Sequence, residues 1–92
     1  MLHFVWDRVK AGRNLRKHQV SFEEASIVFS DPFSLDINDL EHSKHESRFV
    51  IIGNSLGRRL LVVAYSEPVE GTIRIISARK PTLQERNDYE KD

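Results

Sequence analysis

Cysteine is absent from this 92-residue chain, which excludes disulfides and thiolate zinc sites and fits a reducing compartment. Glycine and proline are scarce, at four and three residues. The one glycine–basic stretch, Gly57-Arg58-Arg59, lacks both the glycine pattern and the lysine–serine end of a phosphate loop. Long hydrophobic runs are missing as well. The longest, Leu60 to Tyr65, falls far short of a membrane span. Met1 to Trp6 is too short, and too soon followed by charge, to be a secretory signal. A cytoplasmic protein with no membrane partner is the expectation. Net charge is also lacking: 14 Lys and Arg balance 14 Asp and Glu, so bulk charge alone does not mark a nucleic-acid binder.

What is present is a segregation of charge. Arg8, Lys10, Arg13, Arg16 and Lys17 crowd the first helical region against Asp7 alone. Acidic residues dominate the middle, from Glu23 to Glu46. Arg48, Arg58, Arg59, Arg74, Arg79 and Lys80 make the later strands basic, and the tail is acidic again. Basic blocks that meet in space would form a patch on a neutral protein. Opposite blocks that meet would instead form surface salt bridges.

A chain of this length forms one domain, residues 1–92, with a real core. Leu2 to Trp6 alternates weakly and reads as a strand. Asp7 is a helix N-cap, and the helix it starts runs to about Lys17. Ala11, Leu15 and His18 share one face of that helix, and Lys10, Arg13 and Lys17 share another. Ser21 and Glu24 form a capping box for a short second helix carrying Phe22, Ala25 and Phe29, which Asp31-Pro32 stops. Asp36 to Asp39 reads as turn or irregular structure. Strands follow at Arg48–Ile52, Leu60–Tyr65 and Thr72–Ala78, joined by connections short enough for antiparallel hairpins. Thr82 and Glu85 form a second capping box that opens a terminal helix. The predicted fold class is α+β, in the order β-α-α-β-β-β-α. It has a small antiparallel sheet of about four strands, with helices on one side and the other face left for solvent or a partner.

Arg74 and Arg79 stand out, because guanidinium groups on an apolar strand need water, a carboxylate or a phosphate. Strict alternation would send Arg74, Ile76 and Ala78 one way and Ile75, Ser77 and Arg79 the other, though a twist or a strand end near Arg79 could still bring both arginines to one rim. Phosphate clamping is one role for the arginines, and ion pairs with Glu46 or Glu85 are the alternative. His42-Ser43-Lys44-His45-Glu46 holds two histidines and a carboxylate, but at a spacing that makes a poor metal box. Proton transfer suits these histidines better. His18 reads as a partly buried structural histidine, whereas Lys10 sits on the cationic stripe and could reach a phosphate. Phe4 and Trp6 could stack a base, with core packing as the other reading.

Together these residues resemble the BrnT-type toxins of bacterial toxin–antitoxin modules. The resemblance rests on order and spacing over nearly the whole chain. It takes in Trp6-Asp7, Lys10, Asn14, Lys17-His18, Val20 to Ala25, Asp31-Pro32, His42-Ser43, Glu46 and Arg48. It continues through Ile52-Gly53, Gly57-Arg58, Arg74 to Arg79 and Glu85-Arg86. Gln19 departs from it, standing where the family usually has glycine, and bears on how the first helix ends. The resemblance implies a fold similar to RelE-type ribonucleases, RNA cleavage that arrests growth, and neutralisation by a ribbon-helix-helix antitoxin. The antitoxin dimer would hold two toxins and carry the only link to DNA.

Two functions follow as expectations. In the first the chain is an endoribonuclease that needs no metal or other cofactor, since RNA supplies its own 2′-hydroxyl nucleophile. Arg74 and Arg79 would neutralise developing charge. Lys10, Lys17, Arg48 and Arg58 would hold the RNA, and His18, His42 or Glu46 would move protons. In the second the same surface is a non-catalytic module that docks an antitoxin or repressor partner.

Overall fold

The structure, a computed structural model, describes residues 1–38 and 47–91. Strand β1 (His3–Val5) leads into helix α1 (Arg8–His18), and α2 (Phe22–Ile27) ends in a 3-10 turn over Val28–Ser30. Strands β2 (Leu35–Asn38), β3 (Arg48–Asn54), β4 (Leu60–Val69) and β5 (Thr72–Arg79) follow, and α3 (Leu83–Glu90) closes the order.

The helix starts are where local chemistry puts them. The Asp7 carboxylate accepts from the Val9 and Lys10 amides, at 2.7 and 3.2 Å. Ser21 Oγ accepts from the Glu24 amide at 3.0 Å. Thr82 and Glu85 form the complete reciprocal capping box. The exit of α1 needs a left-handed residue, and Gln19 takes that role at φ 57°. A side chain there costs about 1 kcal/mol against glycine. Gln19 offsets this with bonds of its own: its Nε2 donates to Arg16 O at 3.0 Å, and its carbonyl accepts from Arg59 Nη2 at 2.8 Å.

The sheet has five strands in the order β1-β5-β4-β3-β2. This corrects the expectation of about four antiparallel strands. The extra strand is β2, in the stretch read as a turn from its Asp and Asn residues. Antiparallel pairing with β3, Leu35 against Ile52 and Ile37 against Val50, holds it extended. The sheet is also mixed rather than antiparallel, since β1 runs parallel to β5.

Successive strand residues face opposite ways, and two cores result. Ile51, Leu61, Val63, Ile73, Ile75 and Ala78 pack against Val20, Phe22, Ala25 and Val28 of the α1–α2 layer. Trp6 and Phe4 join this core, with the Trp6 ring edge-on to Phe22 at 6.0 Å. Packing, not base stacking, is thus what these two aromatics do in this structure. On the other face Ile52, Leu60 and Val62 form a smaller cluster with Leu35, Val50 and Tyr89 of α3. Helices therefore lie on both faces, not on one, because Tyr89 supplies the apolar group that covers the second cluster.

Gly53 is required by close approach. A Cβ there would lie 2.7 Å from Val28 Cγ1 and 3.3 Å from Asp31 Oδ2. Asp31 itself binds across the chain: Oδ2 accepts from the Asn54 amide at 2.8 Å and from the Tyr89 hydroxyl at 2.6 Å. These bonds tie α3 to the end of β3.

Candidate nucleic-acid interface

The site is built along β5. That strand does not alternate strictly. Ala64 pairs with Ser77 and Tyr65 with Ile75, so Ile76 is an extra, bulged residue. Paired residues on neighbouring strands share a face. Arg74 pairs with Ser66, Ser77 with Ala64, and Arg79 with Val62. Ser66, Ala64 and Val62 all project from one side of β4, so Arg74, Ser77 and Arg79 share a single face. Strict alternation, which would have put the two arginines on opposite faces, is broken by this one inserted residue, and the two meet on one side through a bulge rather than through a twist or the strand end. Arg48 pairs with the same Ser66 from β3 and lies on the same face. Arg48 and Arg74 thus flank Ser66, about 10 Å apart along two strand spacings. Ser66 is buried, and its Oγ meets no hydrogen-bond partner among the described residues.

Helix α1 lies against the outer edge of the same strand. Strand β1 pairs with β5 only from Thr72 to Arg74. Beyond that point Asn14 takes over the edge. Its Nδ2 donates to Ala78 O at 2.8 Å and to Val20 O at 3.0 Å, while Ala78 N–H donates to its Oδ1 at 3.1 Å. A side chain here does what another strand would do. Asn14 is the one buried residue of α1, whereas Leu15, expected on the inner face, is half exposed. Sequence reasoning gave Asn14 no role. A polar residue among helix-forming neighbours, facing a strand edge, is the signal that was there to read.

This docking turns the cationic stripe toward β5. Lys10, Arg13, Lys17 and His18 line a cavity of about 270 Å³ whose strand wall is Ile76 and Ser77. Ser77 therefore belongs both to this cavity and to the face bearing Arg74 and Arg79. Lys10, Lys17 and His18 thus line this cavity, while Arg74, Arg79 and Arg48 lie on the adjoining sheet face and are not among its lining residues. Arg58 is exposed in the β3–β4 hairpin and is not among the residues that line the cavity. Glu46 and His42, the remaining candidates for proton transfer, lie outside the described residues, as does the rest of the His42–Glu46 stretch. No three His, Asp or Glu side chains among the described residues group as metal ligands.

Arg79 does not wait for an anion. Its Nη1 and Nη2 donate to the two Glu85 carboxylate oxygens at 2.8 and 2.9 Å. Glu85 also accepts from the Thr82 amide at 2.8 Å. Arg79 thereby holds Glu85 at a pKa of about 2, with the Thr82 amide assisting and burial opposing. A second bidentate pair, Glu24 with Arg59, ties α2 to the β3–β4 hairpin at 2.7 and 2.9 Å. Glu24 is likewise held at about 2, chiefly by Arg59 and further by Ser55 Oγ. Part of the charge segregation is thus spent on internal ion pairs, as the salt-bridge alternative foresaw.

Both carboxylates have folded-state pKa values below the unfolded value of 4.5. Their contribution is fully present above that value and is lost as pH falls through about 2. Thermal melts between pH 5 and pH 2 are expected to show a falling midpoint, with Glu24→Gln and Glu85→Gln each flattening the slope. Melts of the two variants that track the parent's pH dependence would refute this.

The chain matches the family model described as "Ribonuclease toxin, BrnT, of type II toxin-antitoxin system" over residues 6–85. Its fold is similar to the crystal structure of the Brucella abortus ribonuclease toxin, BrnT, with a TM-score of 0.68 at 20% identity. That likeness covers 89% of this chain and 99% of that one. No curated protein matches the chain in sequence. No described helix is long and apolar enough to cross a membrane. With a basic cavity between α1 and β5 and a family match over most of its length, the chain belongs to the BrnT family of ribonuclease toxins of type II toxin–antitoxin systems.

Proposed function

We propose that this protein is a metal-independent endoribonuclease toxin, acting in the cytoplasm on a RelE-like frame. We further propose that a ribbon-helix-helix antitoxin neutralises it, the antitoxin dimer holding two toxins and making the only contacts with DNA. The observation that carries the catalytic reading is the Ile76 bulge. It gathers Arg74, Ser77 and Arg79 on one face, beside the Lys10, Lys17 and His18 cavity.

A basic cavity beside a face of arginines suits a phosphodiester. Lys10, Lys17 and Arg48 hold backbone phosphates as point charges or forks, with Arg58 reached by a longer strand of RNA. The 2′-oxygen attacks the adjacent phosphorus as its proton passes to a base, either His18 or Glu46, with His42 the third candidate. The bond to the 5′-oxygen breaks, and that oxygen takes up a proton as it leaves. The products are a 2′,3′-cyclic phosphate and a 5′-hydroxyl. Arg74, joined by Arg79 once Glu85 lets go, neutralises the extra charge on the five-coordinate phosphorus.

The test is incubation of the purified protein with RNA in excess chelator. Cleavage with cyclic phosphate ends is the expected result. Tight binding with no cleavage would instead favour a module that only docks its partner. Cleavage that chelator abolishes would overturn the metal-free mechanism.

A further inference from the structure

Most groups placed so far around a phosphodiester are long. A lysine or arginine side chain brings charge, but it gives up much rotamer freedom when held still. A group that fixes the position of a phosphorus atom has to be short and carried on rigid backbone. Ser77 of β5 meets both conditions.

On the sheet face, Arg74 is set against Ser66, Ser77 against Ala64 and Arg79 against Val62. Those partners are two residues apart along β4. Ser77 therefore stands midway between the arginines, about 7 Å from the level of each. Its cross-strand partner Ala64 carries only a methyl group and does not overhang it. At the strand edge, Ser77 also borders the cavity of about 270 Å³ that Lys10, Lys17 and His18 line.

The backbone beneath Ser77 is held. Asn14 binds the carbonyl and the amide of the next residue, Ala78, at 2.8 and 3.1 Å. These bonds, with a third to Val20 O, take up the Asn14 carboxamide. Asn14 and Ser77 are the two polar side chains of the cavity lining that do not titrate. Of the two, Ser77 has its polar atom left for a ligand. Its Oγ meets no hydrogen-bond partner among the described residues. It is half-buried, so a ligand can reach it.

We infer that Ser77 binds the scissile phosphate directly. Its hydroxyl donates a hydrogen bond to one non-bridging oxygen, which fixes the phosphorus where the Arg74–Arg79 face meets the Lys10, Lys17 and His18 cavity. Ser77 keeps its proton and forms no covalent bond. Negative charge builds on that oxygen as the 2′-oxygen attacks, so the bond strengthens in the five-coordinate state and lowers the barrier. The inference rests on the cleavage reading above and adds the residue that decides where along β5 the phosphate sits.

The experiment compares Ser77→Thr with Ser77→Val in the full chain. The two side chains have nearly the same shape, both suit a strand, and they differ by the hydroxyl. Ser77→Ala removes the hydroxyl without adding a methyl group. Single-turnover cleavage of a mixed-sequence RNA oligonucleotide is expected to stay within about threefold of the parent for Thr, and to fall about 10- to 100-fold for Val and Ala. Sulfur in place of a non-bridging oxygen is the weaker acceptor. It should slow the parent and Ser77→Thr, and slow Ser77→Ala much less, a pattern that a merely structural serine would not produce. Equal rates in the Thr, Val and Ala variants overturn the proposal, and so does an undiminished sulfur effect in Ser77→Ala. A parent protein that cleaves no RNA tells against the cleavage reading, and affinity for a 2′-fluoro oligonucleotide then decides the contact. Binding about threefold or more weaker in Ser77→Ala than in Ser77→Thr upholds it, and equal binding overturns it.

Discussion

Asn14→Ala is expected to destabilise the fold by about 3–5 kcal/mol, the cost of stranding several buried main-chain groups at once. Asn14 is only 7% exposed. Its carboxamide satisfies both main-chain groups of Ala78 and the carbonyl of Val20. No strand replaces it there, because β1 stops pairing with β5 at Arg74. Against a typical small-domain stability of about 5–15 kcal/mol the loss is large. It should appear in urea unfolding as a lower midpoint with an unchanged slope. The same substitution frees α1 from the strand edge, so the basic cavity should lose its shape before the protein unfolds. A loss below about 1 kcal/mol would mean that water replaces Asn14 at the edge and that the docking argument fails.

Arg79→Ala is expected to relieve growth arrest in a protein that stays folded, with RNA cleavage slowed about 10²–10³-fold. The Arg79–Glu85 pair makes a second variant necessary. Either Arg79→Ala or Glu85→Gln removes the ion pair that fastens α3, so both carry the same structural penalty. They differ in what remains. Glu85→Gln leaves the guanidinium in place and releases it toward the sheet face, so cleavage should be kept or increased. Equal loss in the two variants would show that Arg79 acts only by anchoring α3. Full toxicity of a soluble Arg79→Ala protein would remove Arg79 from the site.

The helix N-caps at Asp7, Ser21 and Thr82, the hairpins and the cationic stripe of α1 were all legible from residues within about four positions of one another, because capping and helical spacing are local. Gln19 differs. The resemblance, not its neighbours, set an expectation of glycine there, and Gln19 was expected to bear on the exit. The structure keeps a left-handed exit with Gln19 at φ 57°. Strand β2 was not legible. Its Asp and Asn carry turn propensity, and only pairing with β3 overrides it.

Local chemistry in the chain determined where helices begin, which segments other than β2 extend, and how positive charge gathers on α1, while the order and spacing of residues along the chain carried the family resemblance. Which face each β5 side chain takes was decided only by tertiary pairing. Ile76 carries no mark of a bulge, since the extra residue exists only relative to the register of β4. The same holds for α3, whose capping box announces a helix but not the face on which Tyr89 finds its apolar cluster. Register and facing depend on partners far away in sequence, and their energy is realised only when those partners meet.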